Sequence, residues 1–126
     1  MTIWDILLVD DSPAERDLAV EASREFGAGM HLITAGTPEE AVTQLQIVRP
    51  AFVLIDLHLG RWHGRHLLAQ LRGSRGTFIL TTNDDPLESR LCLKSGADGF
   101  WVKPARFADF STLFARLCVL LLTSPA

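Results

Sequence analysis

Three carboxylates, a hydroxyl and one ammonium stand at the ends of short apolar runs in this chain. Asp10 and Asp11 close the run at 6–9, and Asp56 closes the run at 52–55. Thr81 and Thr82 close the run at 77–80, and Lys103 and Pro104 close the run at 99–102. Carboxylates gathered in one cleft repel and raise one another's pKa. A hard divalent cation such as Mg²⁺ relieves that repulsion and keeps coordination sites for water and phosphate. A lysine nearby favours a further anion, such as a phosphoryl group, and a threonine hydroxyl can donate to one of its oxygens. A carboxylate can itself accept a phosphoryl group as an acyl phosphate. An isolated Asp after an apolar run is ordinarily a helix cap or a solvated turn. The joint placement at four runs favours one shared site.

The elements that must position these groups are legible as well. Apolar runs at 6–9, 31–35, 52–55, 77–81 and 99–102 alternate with longer helical patterns. Several runs are apolar at consecutive positions, which suits strands covered on both faces, as in a parallel sheet. Ser12-Pro13, Thr37-Pro38 and Asp85-Pro86 each pair a short polar cap with proline at the first helical position. Glu15, Glu40 and Glu88 stand at the third. These are helix starts. Gly27 and Gly96 read as helix stops, and Ala41, Leu45 and Val48 form a helical stripe. Five strands alternating with five helices give an open parallel sheet with helices on both faces. In such sheets ligands sit outside the carboxyl ends of the strands, where the chemistry-bearing residues stand.

At 126 residues, 48% hydrophobic and 21% charged, the chain is expected to form one domain over 1–126, with no second domain. A net charge of -3 argues against nucleic acid as the main partner. Cys92 and Cys118 read as buried thiols in a reducing compartment. The first eleven residues lack the basic region of a signal peptide, and no apolar run approaches the roughly 18 residues of a membrane span. A cytoplasmic location with no membrane contact is expected.

The segments LLVDD at 7–11, VLIDL at 53–57, ILTT at 79–82 and GADGFWVKP at 96–104 resemble the receiver domain of two-component response regulators, over essentially the whole chain. The resemblance implies a doubly wound (βα)5 flavodoxin-like fold with strand order 2-1-3-4-5. It implies that Asp56 is the phosphoacceptor, with Thr81 and Lys103 contacting the phosphoryl group. Asp10, Asp11, Asp56 and the backbone carbonyl of His58 would hold Mg²⁺. Thr81 and Phe100 would form the switch that repacks the face made by the fourth helix, fifth strand and fifth helix. The donor would be a sensor histidine kinase or a histidine phosphotransfer protein, and the signal would pass to a protein target. Such a domain is no enzyme beyond its own phosphorylation and dephosphorylation. The Lys103–Pro104 bond is often cis in the family.

The chain departs from the family pattern in places. Gly60 stands where a proline is usual, and Thr82 where alanine is commoner. Asp56 and Thr81 are 25 residues apart, a few fewer than usual, so the third helix or its exit is expected to be trimmed. His58 and Asn83 occupy positions that tune acyl phosphate lifetime. His58, His63 and His66 read as solvated histidines in preference to a zinc site, and Arg61, Arg65, Arg72 and Arg75 as a solvated face. Two other functions compete: a degenerate receiver acting only as a binding module, and a small aspartate-nucleophile phosphohydrolase. The latter needs an Asp-x-Asp and a cap segment, and this chain has adjacent aspartates. The last helix is apolar around most of its circumference. Phe107, Phe110, Phe114, Leu117, Leu120 and Leu121 are therefore expected at a homodimer contact.

Overall fold

Apolar runs buried on both faces set the architecture. The computed structural model describes residues 3–82 and 85–123, so Asn83 lies outside the described residues. Strands β1 (Trp4–Val9), β2 (Met30–Ala35), β3 (Phe52–Asp56), β4 (Gly76–Thr81) and β5 (Gly99–Val102) form one parallel sheet in the order β2-β1-β3-β4-β5. This is the expected flavodoxin-like order. Ile6 and Leu8 face one core with Phe52, Leu54, Phe78 and Leu80. Leu7 and Val9 face the other with Val53, Ile55 and Ile79. Residues 6–9 are each at most 1% exposed, and full burial of such side chains contributes about 1.5–3 kcal/mol apiece.

The register makes the strand ends level. Val9 lies opposite Ile55, Asp56 opposite Leu80 and Thr81 opposite Val102. The helices start where their caps predict. In α1 (Pro13–Ser23) the Ser12 hydroxyl accepts from the Glu15 N–H, and in α2 (Pro38–Ile47) the Thr37 hydroxyl accepts from the Glu40 N–H. In α3 (Pro86–Lys94) the Asp85 carboxylate accepts from the Leu87 N–H. The chain leaves α3 through Gly96, whose φ of 114° an L side chain rarely adopts. Among the described residues no peptide bond is cis, so the Lys103–Pro104 bond is trans.

The expected third helix is the main correction. Residues 57–75 carry a two-stranded antiparallel ribbon, His58–Leu59 with Trp62–His63, and then a single 3₁₀ turn over Gly64–Leu67. Gly60 opens the two-residue turn of the ribbon at φ 59°. Proline, locked near −65°, could not stand there. Gly64 then lets the chain fold under the strand: a Cβ on it would lie 2.5 Å from the Asp56 carbonyl oxygen. The ribbon uses the residues a helix would need. Leu67, Leu68 and Leu71 still cover the sheet.

The last helix, α4 (Phe107–Thr123), is less exposed than the dimer expectation required. Phe110, Phe114 and Leu117 are at most 1% exposed, in the core shared with α1 and β3. Their apolar stripe is the helix's inner face and is not available to a second chain. Leu120 and Leu121 are half-buried against the same core, whereas Phe107, Val119 and Leu122 are exposed. Phe114→Ala should therefore cost about 3–5 kcal/mol in urea unfolding, and Phe107→Ala less than about 1 kcal/mol.

Candidate functional site

The level strand ends bring carboxylates from β1 and β3 into one cleft. Asp10, Asp11 and Asp56 each offer a carboxylate oxygen within 4.8 Å of the others. Asp10 and Asp56 are buried, and Asp11 is exposed. Lys103, just past β5, enters the same cleft. Its ammonium lies 2.6 Å from Asp56 Oδ2, 2.6 Å from Glu15 Oε2 and 3.4 Å from Asp10 Oδ2. The backbone fixes the rest. The His58 N–H donates to Asp56 Oδ1 at 3.2 Å, and the Ser12 N–H donates to Asp10 Oδ1 at 2.9 Å. The Arg16 guanidinium donates to the Asp10 carbonyl at 2.7 Å. The Lys103 N–H donates to the Thr81 carbonyl at 2.7 Å, which ties the ends of β4 and β5 together.

The electrostatics are those of crowded acid groups. Burial, the largest cause, pushes Asp10 up to about 7, and the Glu15 carboxyl beside it adds to the rise. Burial also raises Asp56, against the pull of Lys103. Burial would raise Glu15 too, but hydrogen bonds with Asp10 and Lys103 outweigh it and hold Glu15 below the ordinary range. Of this pair, Asp10 is the one raised and Glu15 the one lowered. Burial would lower Lys103, yet its bonds to Asp56 and Glu15 outweigh that and raise it. The ammonium is therefore charged at every physiological pH. Three carboxylate oxygens this close, one of them on an Asp10 that burial raises to about 7, form a donor set that fits a hard cation such as Mg²⁺.

Asp10, Asp11, Asp56 and Lys103 converge as the sequence predicts. Thr81 is 3% exposed at the end of β4. Phe100 is half-buried against the core behind Asp56, and Thr82 is exposed. His58 is exposed on the ribbon. Glu15 and Arg16 were missed as site residues. Their sequence context is that of an ordinary first helical turn, and nothing in it marks the long-range contacts. The histidines are not all solvated. The ring of His63 is half-buried, caps the 3₁₀ turn by accepting from the Arg65 N–H at 3.2 Å, and faces Glu88 at 3.4 Å. Arg65 bonds the same Glu88 carboxylate at 3.1 Å. This joins the ribbon region to the first turn of α3.

The family described as the response regulator receiver domain matches residues 6–115. The DNA-binding response regulator MtrA of Mycolicibacterium smegmatis is 35% identical over 101 residues, covering 79% of this chain and 43% of that protein. The chain thus spans less than half the length of that relative. A two-component response regulator from Clostridium difficile superposes with a TM-score of 0.83 at 18% identity, over 98% of this chain and 99% of that one. The Mn²⁺-bound form of response regulator Rcp1 superposes with a TM-score of 0.74 at 22% identity, over 98% and 97% of the two chains. A doubly wound parallel sheet with an acidic cleft at its strand ends is the class of architecture to which this chain belongs. The chain belongs to the receiver domains of two-component response regulators, a family that binds Mg²⁺ or Mn²⁺ at an acidic pocket.

The raised Asp10 makes stability depend on pH. The folded state keeps a proton that the unfolded chain loses in the ordinary carboxylate range, so metal-free stability should fall as pH rises from about 4 to about 7. Asp56 acts in the same direction. Mg²⁺ should raise the melting temperature by mass action, and by more at pH 8 than at pH 6. Asp11→Ala should lose most of that rise. Melting curves that ignore millimolar Mg²⁺ at both pH values would contradict the assignment.

Proposed function

We propose that Asp56 is the phosphoacceptor of this receiver. One observation supports this above the others. Asp56 Oδ2 lies against the Lys103 ammonium at 2.6 Å in the same cleft as Asp10 and Asp11. In the transfer, an Asp56 carboxylate oxygen forms a bond to phosphorus. The bond from phosphorus to the donor breaks, and its electron pair leaves with the donor group. A phosphohistidine of a sensor histidine kinase or of a histidine phosphotransfer protein is the donor this chemistry suits. Catalysis of this kind is positioning and charge neutralisation. The His58 N–H holds one Asp56 oxygen and so orients the other. Lys103 offsets the charge of the phosphoryl oxygens. Mg²⁺ bound by Asp10, Asp11, Asp56 and the His58 carbonyl would add positive charge to the same oxygens. Beyond this self-modification the chain performs no enzymatic turnover.

The readout would follow from Thr81 and Phe100. Drawing the Thr81 side chain toward a phosphoryl oxygen vacates room beside β5, and the half-buried Phe100 can turn into it. That repacks the face made by α3, β5 and α4, a local charge event read by a two-state element. The partner of that face would be a protein in the cytoplasm. No helix among the described residues is long and apolar enough to cross a membrane. MtrA is a DNA-binding regulator, and our reading of protein contact concerns this segment alone. A phosphorylation-independent binding module is disfavoured because Asp10, Asp11, Asp56, Thr81 and Lys103 are all present.

Incubation with acetyl phosphate and Mg²⁺ should add one phosphoryl group to the wild type by intact mass and none to Asp56→Asn. Equal labelling of the two would overturn the assignment. The homodimer remains a proposal with a reduced contact. It would use Phe107 and the outer edge at Leu120 and Leu121, beside the exposed Val119 and Leu122. Light scattering at micromolar concentration should show a dimer that Leu120→Glu dissociates, and a wild-type monomer with and without beryllofluoride would reject it.

A further inference from the structure

Glu15 stands at a helix-capping position without making the capping contact. It is three residues after the N-cap Ser12, where a glutamate ordinarily turns back to accept from a free amide. Glu40 behaves this way in α2, accepting from the Gly36 N–H at 2.8 Å. In α1 the Ser12 N–H is taken by Asp10 Oδ1. Glu15 instead crosses to Lys103, with Oε2 at 2.6 Å from the ammonium. That equals the distance from the ammonium to Asp56 Oδ2. Glu15 Oε2 is itself out of contact with solvent, although 34% of the side chain remains exposed. An ammonium has three donor hydrogens. Around Lys103 stand three carboxylates, from Asp56, Glu15 and Asp10.

We propose that Glu15 is a positioning residue that engages Lys103 as an internal anion, in competition with a phosphoryl group on Asp56. The inference rests on the reading of Asp56 as acceptor. A phosphoryl oxygen reaching Lys103 meets an anion already there. Glu15 then leaves for solvent, losing its 2.6 Å ion pair with the ammonium, or it stays and repels the incoming charge. Either course disfavours the occupied site. The partial exposure of Glu15 gives it a route out, because its far end is not locked in the core. The carboxylate thus sets how strongly the receiver holds a phosphoryl group, and it does so through Lys103 without touching the acceptor.

Beryllofluoride with saturating Mg²⁺ is a probe that occupies the phosphoryl position on the carboxylate reversibly and without phosphoryl transfer. Its affinity can be measured by calorimetry for the wild type, Glu15→Gln, Glu15→Ala and Glu15→Asp, with Asp56→Asn as control. Charge competition predicts that Glu15→Gln and Glu15→Ala both bind about tenfold tighter than wild type, a difference of about 1.4 kcal/mol. Glu15→Asp should stay within about threefold of wild type. The gap between wild type and Glu15→Gln should narrow between about 0.05 and 0.5 M salt, as screening weakens the repulsion. A role in packing the helix would give a different pattern, with Glu15→Gln like wild type and Glu15→Ala displaced, and that pattern overturns the inference. Wild-type binding with an unchanged or weaker Glu15→Gln constant overturns it while leaving the acceptor reading intact. Binding to Asp56→Asn as strong as to wild type, or no binding to any chain with Asp56 intact, removes the acceptor reading and the inference together.

Discussion

The contact on which the site depends is the Lys103 ammonium set among two buried carboxylates and one partly exposed one. Asp56 and Glu15 both lie at 2.6 Å from it, and Asp10 at 3.4 Å. One positive charge does not balance this group. Burial raises Asp10 and Asp56, and the acid groups beside them, Glu15 and Asp11, add to the rise. Removing the ammonium would leave buried charge without a partner, which typically costs about 3–5 kcal/mol. Adding a divalent cation would relieve the excess from the other side. The cleft is in this sense an unfinished ion cluster, in which carboxylates outnumber the ammonium they surround.

The sheet makes that cluster possible. Five parallel strands in level register deliver their carboxyl ends to one edge, and two apolar cores hold the edge rigid from either face. The backbone then fixes individual atoms. Amide groups of Ser12 and His58 hold one oxygen each of Asp10 and Asp56, leaving the second oxygen of each toward Lys103. The ribbon at 58–63 replaces a helix beside Asp56. It places His63 and Arg65 on Glu88, so the loop after Asp56 is tied to α3 through one carboxylate.

Much of this was legible in the sequence, for identifiable reasons. Consecutive apolar residues at 6–9 and 52–55 announced strands buried on both faces, and proline after a polar cap announced each of three helices. Strand ends then located Asp10, Asp11, Asp56 and Lys103 without any knowledge of contacts. What stayed hidden depends on long-range geometry. Glu15 reads as a capping residue because its partner, Lys103, is 88 residues away. The short spacing from Asp56 to Thr81 warned of a trimmed helix. It did not show that Gly60 and Gly64 would build a ribbon and a 3₁₀ turn instead. The apolar circumference of α4 suggests a contact between chains. Phe110, Phe114 and Leu117 are in fact its inner face, and periodicity alone does not distinguish a thick core from a partner.

The central claim is that Lys103 and Asp56 together form the place where a phosphoryl group is held. A crystal structure of the Mg²⁺–beryllofluoride complex tests it most directly. The account predicts beryllium on an Asp56 oxygen, one fluoride within hydrogen-bond distance of Lys103 Nζ, and Glu15 turned away from the ammonium. Beryllofluoride seated on another carboxylate, or bound at Asp56 with no fluoride near Lys103, would contradict it.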